Sequence, residues 1–240
     1  RAVETLDGDG VEVKINIFEG KKFTIERINI VGNSVTNDSV IRGELHVDEG
    51  DPYSELLVNK SINELKARNI FGTVTKKIED GSSPDLKILE IAVEEKATGE
   101  ISAGAGVGTD GTSFMFSVSE NNWLGRGVKL ESALNVSAER ITGSLAVNNP
   151  NFNYTGNALN TALSISTSDR TQTSGYESQK TGLSIGTSFE QYEDGFLSGS
   201  LAGAYEKIDT ESNAAASIKK MEGSFTNLDF SYGIITDKRN

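Results

Sequence analysis

The 240-residue chain carries 35 acidic against 23 basic side chains, a formal net charge of -12, with one histidine and no cysteine. This balance argues against nucleic acid as a main partner, because phosphate recognition needs clustered Lys and Arg, and pairs such as Lys76 with Lys77 stand isolated. The missing cysteines exclude disulfides and thiolate metal sites, and the single imidazole, His46, has no second His or Cys to share a metal or a catalytic role.

The chain begins with Arg1, shows no charged-then-apolar leader, and contains no apolar run near the roughly 18 residues of a membrane helix. It therefore reads as an internal fragment. Val11 to Phe18 alternates behind the turn LDGDG, and Phe23 to Val31 alternates again up to Gly32-Asn33. Thr36 is placed to cap a short helix carrying Val40, Ile41 and Leu45. Beyond Pro52, Ser54 is placed to cap a longer one in which Leu57, Val58, Ile62 and Leu65 share a side at helical spacing. Val74 to Glu79 and Leu86 to Glu94 then read as strands joined by DGSSPD. The order strand, helix, helix, strand, strand makes a small α+β unit with two helices on one face of a three-stranded sheet.

From Gly99 helical spacing disappears. Eight alternating segments follow, near 100–109, 112–120, 127–138, 140–149, 157–167, 178–190, 195–206 and 222–235, each close to the ~9–11 residues of a tilted membrane-spanning strand. One face is apolar: Phe114, Phe116 and Val118; Val128, Leu130, Leu134 and Val136; Leu159, Leu163 and Ile165; Leu183, Ile185 and Phe189. Alternation alone does not say whether that face meets a soluble core or lipid. The opposite face decides, because a water-exposed sheet surface carries Lys, Glu and Thr, whereas here it carries Ser117, Ser119, Ser144, Asn148, Asn160, Ser164 and Ser166. A modestly polar second face suits a barrel lumen. Lys129 and Glu131 lie on it, opposite Leu130.

In an up-and-down sheet, alternate turns share an end. NNWLGRG, NPNFNYTG and EQYEDGF fall at the end from which the α+β unit enters, and they bring Trp123, Phe152, Tyr154, Tyr192 and Phe196 there, which suggests an interfacial aromatic belt. The other connections, SDRTQTSGYES and IDTESNAAASIKK, are polar and long, as outer loops of a barrel are.

Several motifs lead nowhere. Gly106, Gly108 and Gly111 spell G-x-G-x-x-G, but FMFSVSE continues as a strand instead of opening the helix a dinucleotide needs. DGDG lacks the later ligands of a calcium loop and reads as a hairpin turn. Glu94 with Glu95 and Glu193 with Asp194 lie at strand ends, where solvated charge is the ordinary explanation. No nucleophile and base can be paired, so no cofactor, nucleotide or catalytic site is expected and the chain does not read as an enzyme.

The stretch FTIERINIVGNSVTNDSVIRGELHVDEGDPYS, followed by LVNKSINELKARNIFGTV, resembles a POTRA domain. GAGVGTDG, NNWLGRG and NPNF are similar to the opening strands of the barrel attached to it in the BamA family of outer-membrane β-barrel assembly factors. The resemblance implies that residues 1–20 end a preceding POTRA repeat, 21–97 form the last one, and 98–240 supply about eight of sixteen barrel strands. It also implies a Gram-negative outer membrane, a periplasmic POTRA domain, unfolded outer-membrane protein clients, accessory lipoproteins and outer-membrane lipid as partners. The family's VRGF loop, late strands and C-terminal aromatic are not in this sequence.

In that family setting the first strand becomes the notable one. Gly104, Gly106 and Gly108 lie on its lumen face and Ala103 and Ala105 in the middle of its outer face, leaving few cross-strand contacts, each worth roughly 0.2–1 kcal/mol. Its seam with the closing strand should be weak and open to pairing with an incoming strand. Glycines that relieve crowding where a barrel bends are the alternative. For partner contact the candidates are Glu49 and the expected POTRA sheet edge with Val74, Lys76 and Ile78. Two other functions share the pattern: a two-partner-secretion or translocation-type transporter, and a soluble β-rich binding module.

Overall fold

A computed structural model describes residues 2–7, 10–15, 21–108, 111–192 and 195–236, with side chains described from residue 21 onward. Residues 1, 8–9, 16–20, 109–110, 193–194 and 237–240 lie outside it, and with them the DGDG turn centre, the end of the Val11–Phe18 segment and the Glu193–Asp194 pair. β1 (Ala2–Asp7) and β2 (Gly10–Ile15) pair as an antiparallel hairpin.

The α+β unit follows in the expected order: β3 (Thr24–Val31), α1 (Asp38–Arg42), α2 (Glu55–Ala67), β4 (Phe71–Asp80) and β5 (Leu86–Glu95). β5 is central, parallel to β3 and antiparallel to β4, so β4 is an edge strand. The Ser54 hydroxyl accepts from the Leu57 N–H and caps α2. Val58, Ile62 and Leu65 recur at helical spacing on its buried side and pack with Val40 and Ile41 of α1 against Ile25, Ile28, Leu89, Ile91 and Val93 of the sheet. Each such side chain removed from water stabilises the fold by about 1.5–3 kcal/mol. Thr36 does not cap α1. Asn37 holds the cap position without a side-chain bond, because the Thr36 backbone and hydroxyl are both engaged elsewhere.

β6 (Gly99–Gly108), β7 (Gly111–Trp123), β8 (Val128–Ser137), β9 (Arg140–Asn149), β10 (Ala158–Arg170), β11 (Tyr176–Tyr192), β12 (Gly195–Thr210) and β13 (Gly223–Thr236) form one antiparallel meander in which every strand pairs with the next. The register places Phe116, Leu134, Gly143 and Ile165 in one cross-strand row and Leu145, Leu163, Leu183, Gly203 and Leu228 in another, so the apolar face is continuous. That face covers nothing among the described residues. Leu183, Ile185, Leu201 and Phe230 are all exposed, whereas a soluble sandwich would bury them. Ser144, Ser164, Gly182, Ala204 and Asn227 line the opposite face in one row. The sheet is not closed: β6 and β13 are its two edges.

β10, β11 and β12 run 13, 17 and 16 residues, longer than the sequence pattern suggested and longer than the ~9–11 needed to span a bilayer. β10 and β12 gain their surplus at the long-loop end and β11 at both ends; at the long-loop end the Glu211 N–H donates to the Gly175 carbonyl and a short helix, α3 (Ala216–Lys219), follows. Gly175 has φ +71 and a Cβ there would press on the Ala214 backbone, so the two loops close on each other with Ala214 buried.

Candidate functional site

The two parts of the chain meet at the short-turn end through a dense set of polar contacts. NNWLGRG, between β7 and β8, supplies most of them. The buried Asn122 amide donates to the Thr36 hydroxyl at 2.9 Å and accepts from the Gly127 N–H at 2.7 Å. The Asn37 N–H donates to the Gly125 carbonyl at 2.8 Å. Gly125 must be glycine on two counts: its φ is +69, and a Cβ would overlap the Val35 carbonyl. The Arg68 guanidinium donates to the Gly127 carbonyl at 2.8 Å and lies 3.7 Å from the Glu44 carboxylate; burial pushes its pKa down from the usual value while Glu44 opposes that shift.

NPNFNYTG, between β9 and β10, makes the second contact. The Asn151 amide donates to the Gly43 carbonyl at 2.9 Å, and the Tyr154 and Ser39 hydroxyls share a 2.7 Å hydrogen bond. Asn153 and Tyr154 adopt φ of 54 and 57, and this left-handed turn aims the ring at α1.

One carboxylate organises the α+β side. Glu95, at the end of β5, accepts from the backbone N–H groups of Ser34, Val35 and Thr36 and from the Ser34 hydroxyl, at 2.6–3.1 Å. Burial would raise its pKa, but the bonds from Ser34, Thr36 and Val35 outweigh that and lower it to about 2. The sequence showed only a solvated strand-end pair here. Its signal was present in part, since Ser34 to Thr36 follow a glycine turn, but the 60-residue separation hid the partner.

The five aromatics expected to form one belt have different surroundings. Trp123 is exposed beside Ile101 and Val118 on the apolar side. Phe152 and Tyr192 are exposed near the turns. Tyr154 is committed to Ser39, and Phe196, one residue out of phase with the apolar Leu197, lines an opening of about 580 Å³ under the sheet together with Glu64, Arg68, Lys129 and Glu190. A single belt is therefore not what Tyr154 and Phe196 form. The reason is strand phase and turn conformation, which turn composition does not report.

The partner-contact candidates also divide. Val74 is buried and Ile78 packs on the same core, so neither side chain is presented outward; Lys76 lies 3.7 Å from Glu55. What β4 offers is its backbone edge. The Glu49 carboxylate accepts from the Ile28 N–H at 3.0 Å and lies 3.6 Å from Arg42, with about half of its side chain still exposed.

β6 is bonded on one side only, over ten residue pairs with β7. A Cβ added at Gly104 would come no closer than 3.8 Å to the Met115 side chain, one at Gly106 would touch only the Ser113 hydroxyl at 3.6 Å, and one at Gly108 would meet nothing. Gly143, Gly182 and Gly233 are different, since a Cβ at each would press within 2.8–2.9 Å of a neighbour. Within this sheet crowding accounts for the latter glycines and not for those of β6. Ala103 and Ala105, opposite Phe116 and Phe114, are the small members of their pairs.

A POTRA family model (surface antigen variable number repeat) matches residues 23–96 and an Omp85 superfamily domain model matches residues 122–240. The chain belongs to the Omp85 superfamily: a bacterial outer-membrane protein with a POTRA domain in the periplasm and strands of a membrane barrel. Within it, the chain is similar to the outer membrane protein assembly factor BamA of Neisseria meningitidis serogroup B, 28% identical over 151 residues, 62% of this chain and 19% of the relative. In fold it matches BamA from Haemophilus ducreyi lacking POTRA domains 1-3 (TM-score 0.71, 20% identity, all of this chain and 50% of that one) and CdiB from Escherichia coli (TM-score 0.64, 15% identity, 98% and 45%). The chain thus spans about a fifth of its curated relative and half of the solved Haemophilus ducreyi chain.

Proposed function

We propose that this chain is the POTRA-to-barrel segment of an assembly factor that folds and inserts β-barrel proteins into the outer membrane. The observation that carries the reading is β6: a ten-residue edge strand whose lumen face bears no side chain at Gly104, Gly106 and Gly108 although each has room for one. Along that half of the strand the lumen face pairs through its backbone alone. Its seam with a closing strand lacks the side-chain pairs that tighten the rest of the sheet, and an unfolded client strand meets the same ladder of donors and acceptors by β-augmentation. Strand exchange of this kind proceeds by pairing energy, without nucleotide hydrolysis, cofactor or covalent step.

The POTRA domain supplies two further surfaces on this reading. The β4 edge receives extended client segments, with Lys76 guarding it against self-association. The exposed half of Glu49 faces an accessory lipoprotein, while its bonds to Ile28 and Arg42 hold it in place. The test is a disulfide between cysteines in β6 and in the closing strand of the intact protein. Client insertion that stops on oxidation and returns on reduction is expected; insertion undiminished by the lock contradicts the reading. A second reading, a two-partner-secretion or translocation-type transporter, draws on the likeness of fold to CdiB. It predicts export of one dedicated substrate and no effect on assembly of other barrels.

A further inference from the structure

We propose that the POTRA domain is itself seated in the membrane, through an apolar foot formed by Val35 with Trp123 and Leu124 that takes up the acyl chains of periplasmic-leaflet phospholipid. A cleft of about 580 Å³ opens at the foot of β6 and β7, lined by Val35 of the POTRA loop, by Trp123, Leu124 and Gly125 of the turn, and by Ile101 and Val118 of the outer wall. Val35 is 67% exposed and Leu124 72%, although each is held rigidly by polar contacts made by its own backbone or its neighbours'.

The two are held in different ways, and each way fixes an apolar side chain in the open. The N–H of Val35 is one of three that converge on Glu95, and its carbonyl lies against Gly125, so the loop cannot turn the side chain inward without breaking that cluster. Leu124 has φ 54. For a leucine this left-handed conformation is unfavourable, and here it holds the side chain out in water. Backbone bonds thus fix both side chains outward, and lipid offers them a burial that water does not.

Continuity names the occupant. Ile101 and Val118 belong to the apolar face of the barrel sheet, and the cleft joins that face to Trp123, Leu124 and Val35 past the strand ends, with the Glu120 carboxylate turned to Thr98 and the Asn122 N–H beside it. Trp123 stands at the boundary, the level at which tryptophan favours the headgroup region. Among the described residues no Lys or Arg lines the cleft, while Glu100 and Glu120 do. Attraction is therefore apolar, indifferent to anionic headgroups and to salt, and it ties the POTRA domain to the leaflet directly beneath the weak strand.

The chain contains no cysteine, so single labels at Val35→Cys, Leu124→Cys, Ile185→Cys and Ser83→Cys report separately in the intact protein reconstituted into phosphatidylethanolamine vesicles. Ser83 lies in the β4–β5 turn, the length of β5 away from Glu95, and Ile185 lies on the outer wall. A fluorophore at Val35 or Leu124 should be quenched several-fold more by lipids carrying a nitroxide near the glycerol end of the acyl chain than one at Ser83, and equally at low and high salt. No quenching at Val35 and Leu124 with strong quenching at Ile185 overturns the proposal. So does a label at Val35 that becomes buried only when client protein is added. Loss of quenching at Ile185 as well would overturn the membrane assignment of the sheet.

Discussion

The POTRA domain and the barrel sheet use similar apolar residues with opposite geometry. Between Thr24 and Glu95 the isoleucines, leucines and valines of two helices and three strands close on one another, and Ile41, Val58 and Ile91 have essentially no exposed surface. Between Gly99 and Thr236 the apolar face looks outward over all eight strands, and among the described residues only Ile208 and Ala214, under the far loops, are buried hydrophobic side chains. The first region is held by water exclusion. The second is held by its hydrogen-bonded ladders and completed by lipid, since a bilayer tolerates strands only when every backbone group is paired.

The contrast is broken most severely by substitutions that are equivalent on paper. Leu65→Ala should destabilise the POTRA domain by about 2–5 kcal/mol, because it empties a closed core. Leu163→Ala should cost little in vesicles, where lipid fills the space, but Leu163→Lys should cost about 2–4 kcal/mol near mid-bilayer. Denaturant titrations of the protein folded into vesicles, read separately for each region, check this. Equal costs for the two alanine variants would mean that the outer face is packed against protein.

The junction gives the next largest effect. Asn122→Ala leaves the Gly127 N–H unpaired in a buried place, and a loss of about 1–3 kcal/mol is expected from the docking of the two regions. Hydrogen exchange should show faster exchange at Gly127 and Asn37 with the POTRA core unchanged; unfolding of the core would contradict it. A smaller effect of the opposite sign is expected at the seam. Gly106→Val adds a β-branched side chain where there is room, tightening β6 pairing by roughly 0.2–1 kcal/mol, and the account expects slower client insertion by a more stable barrel.

The smallest effect is confined to three amides. The Glu95 pKa is about 2 against an ordinary 4.5, so its hold on Ser34, Val35 and Thr36 is complete above about pH 4.5 and is lost as the pH falls toward 2. Exchange protection of those N–H groups should follow that window, and Glu95→Gln should abolish the dependence.

Much of the fold could be read directly from residue order. Period-two alternation marked β6 to β13 because each strand is amphipathic in itself, and Ser54 with Val58, Ile62 and Leu65 marked α2. The junction was hidden for a physical reason. Asn122 meets Thr36, Tyr154 meets Ser39 and Glu95 meets three amides some sixty residues away, and no local pattern announces a partner so distant. NNWLGRG and NPNF stand out in the sequence as turns, yet their glycines and asparagines are docking residues as well as turn formers. Phe196 lies in an aromatic turn by composition, while its strand phase, one residue from Leu197, sets it under the sheet.

The central claim is that the apolar face of the eight strands meets hydrocarbon and the small polar face meets a hydrated interior. Cysteines placed one at a time along β10 in the vesicle-inserted protein, at Ala162, Leu163, Ser164, Ile165 and Ser166, test it with a water-soluble maleimide. Reaction at Ala162, Ser164 and Ser166 with protection at Leu163 and Ile165 is predicted. Reaction at Leu163 and Ile165 with protection at the other three would contradict it.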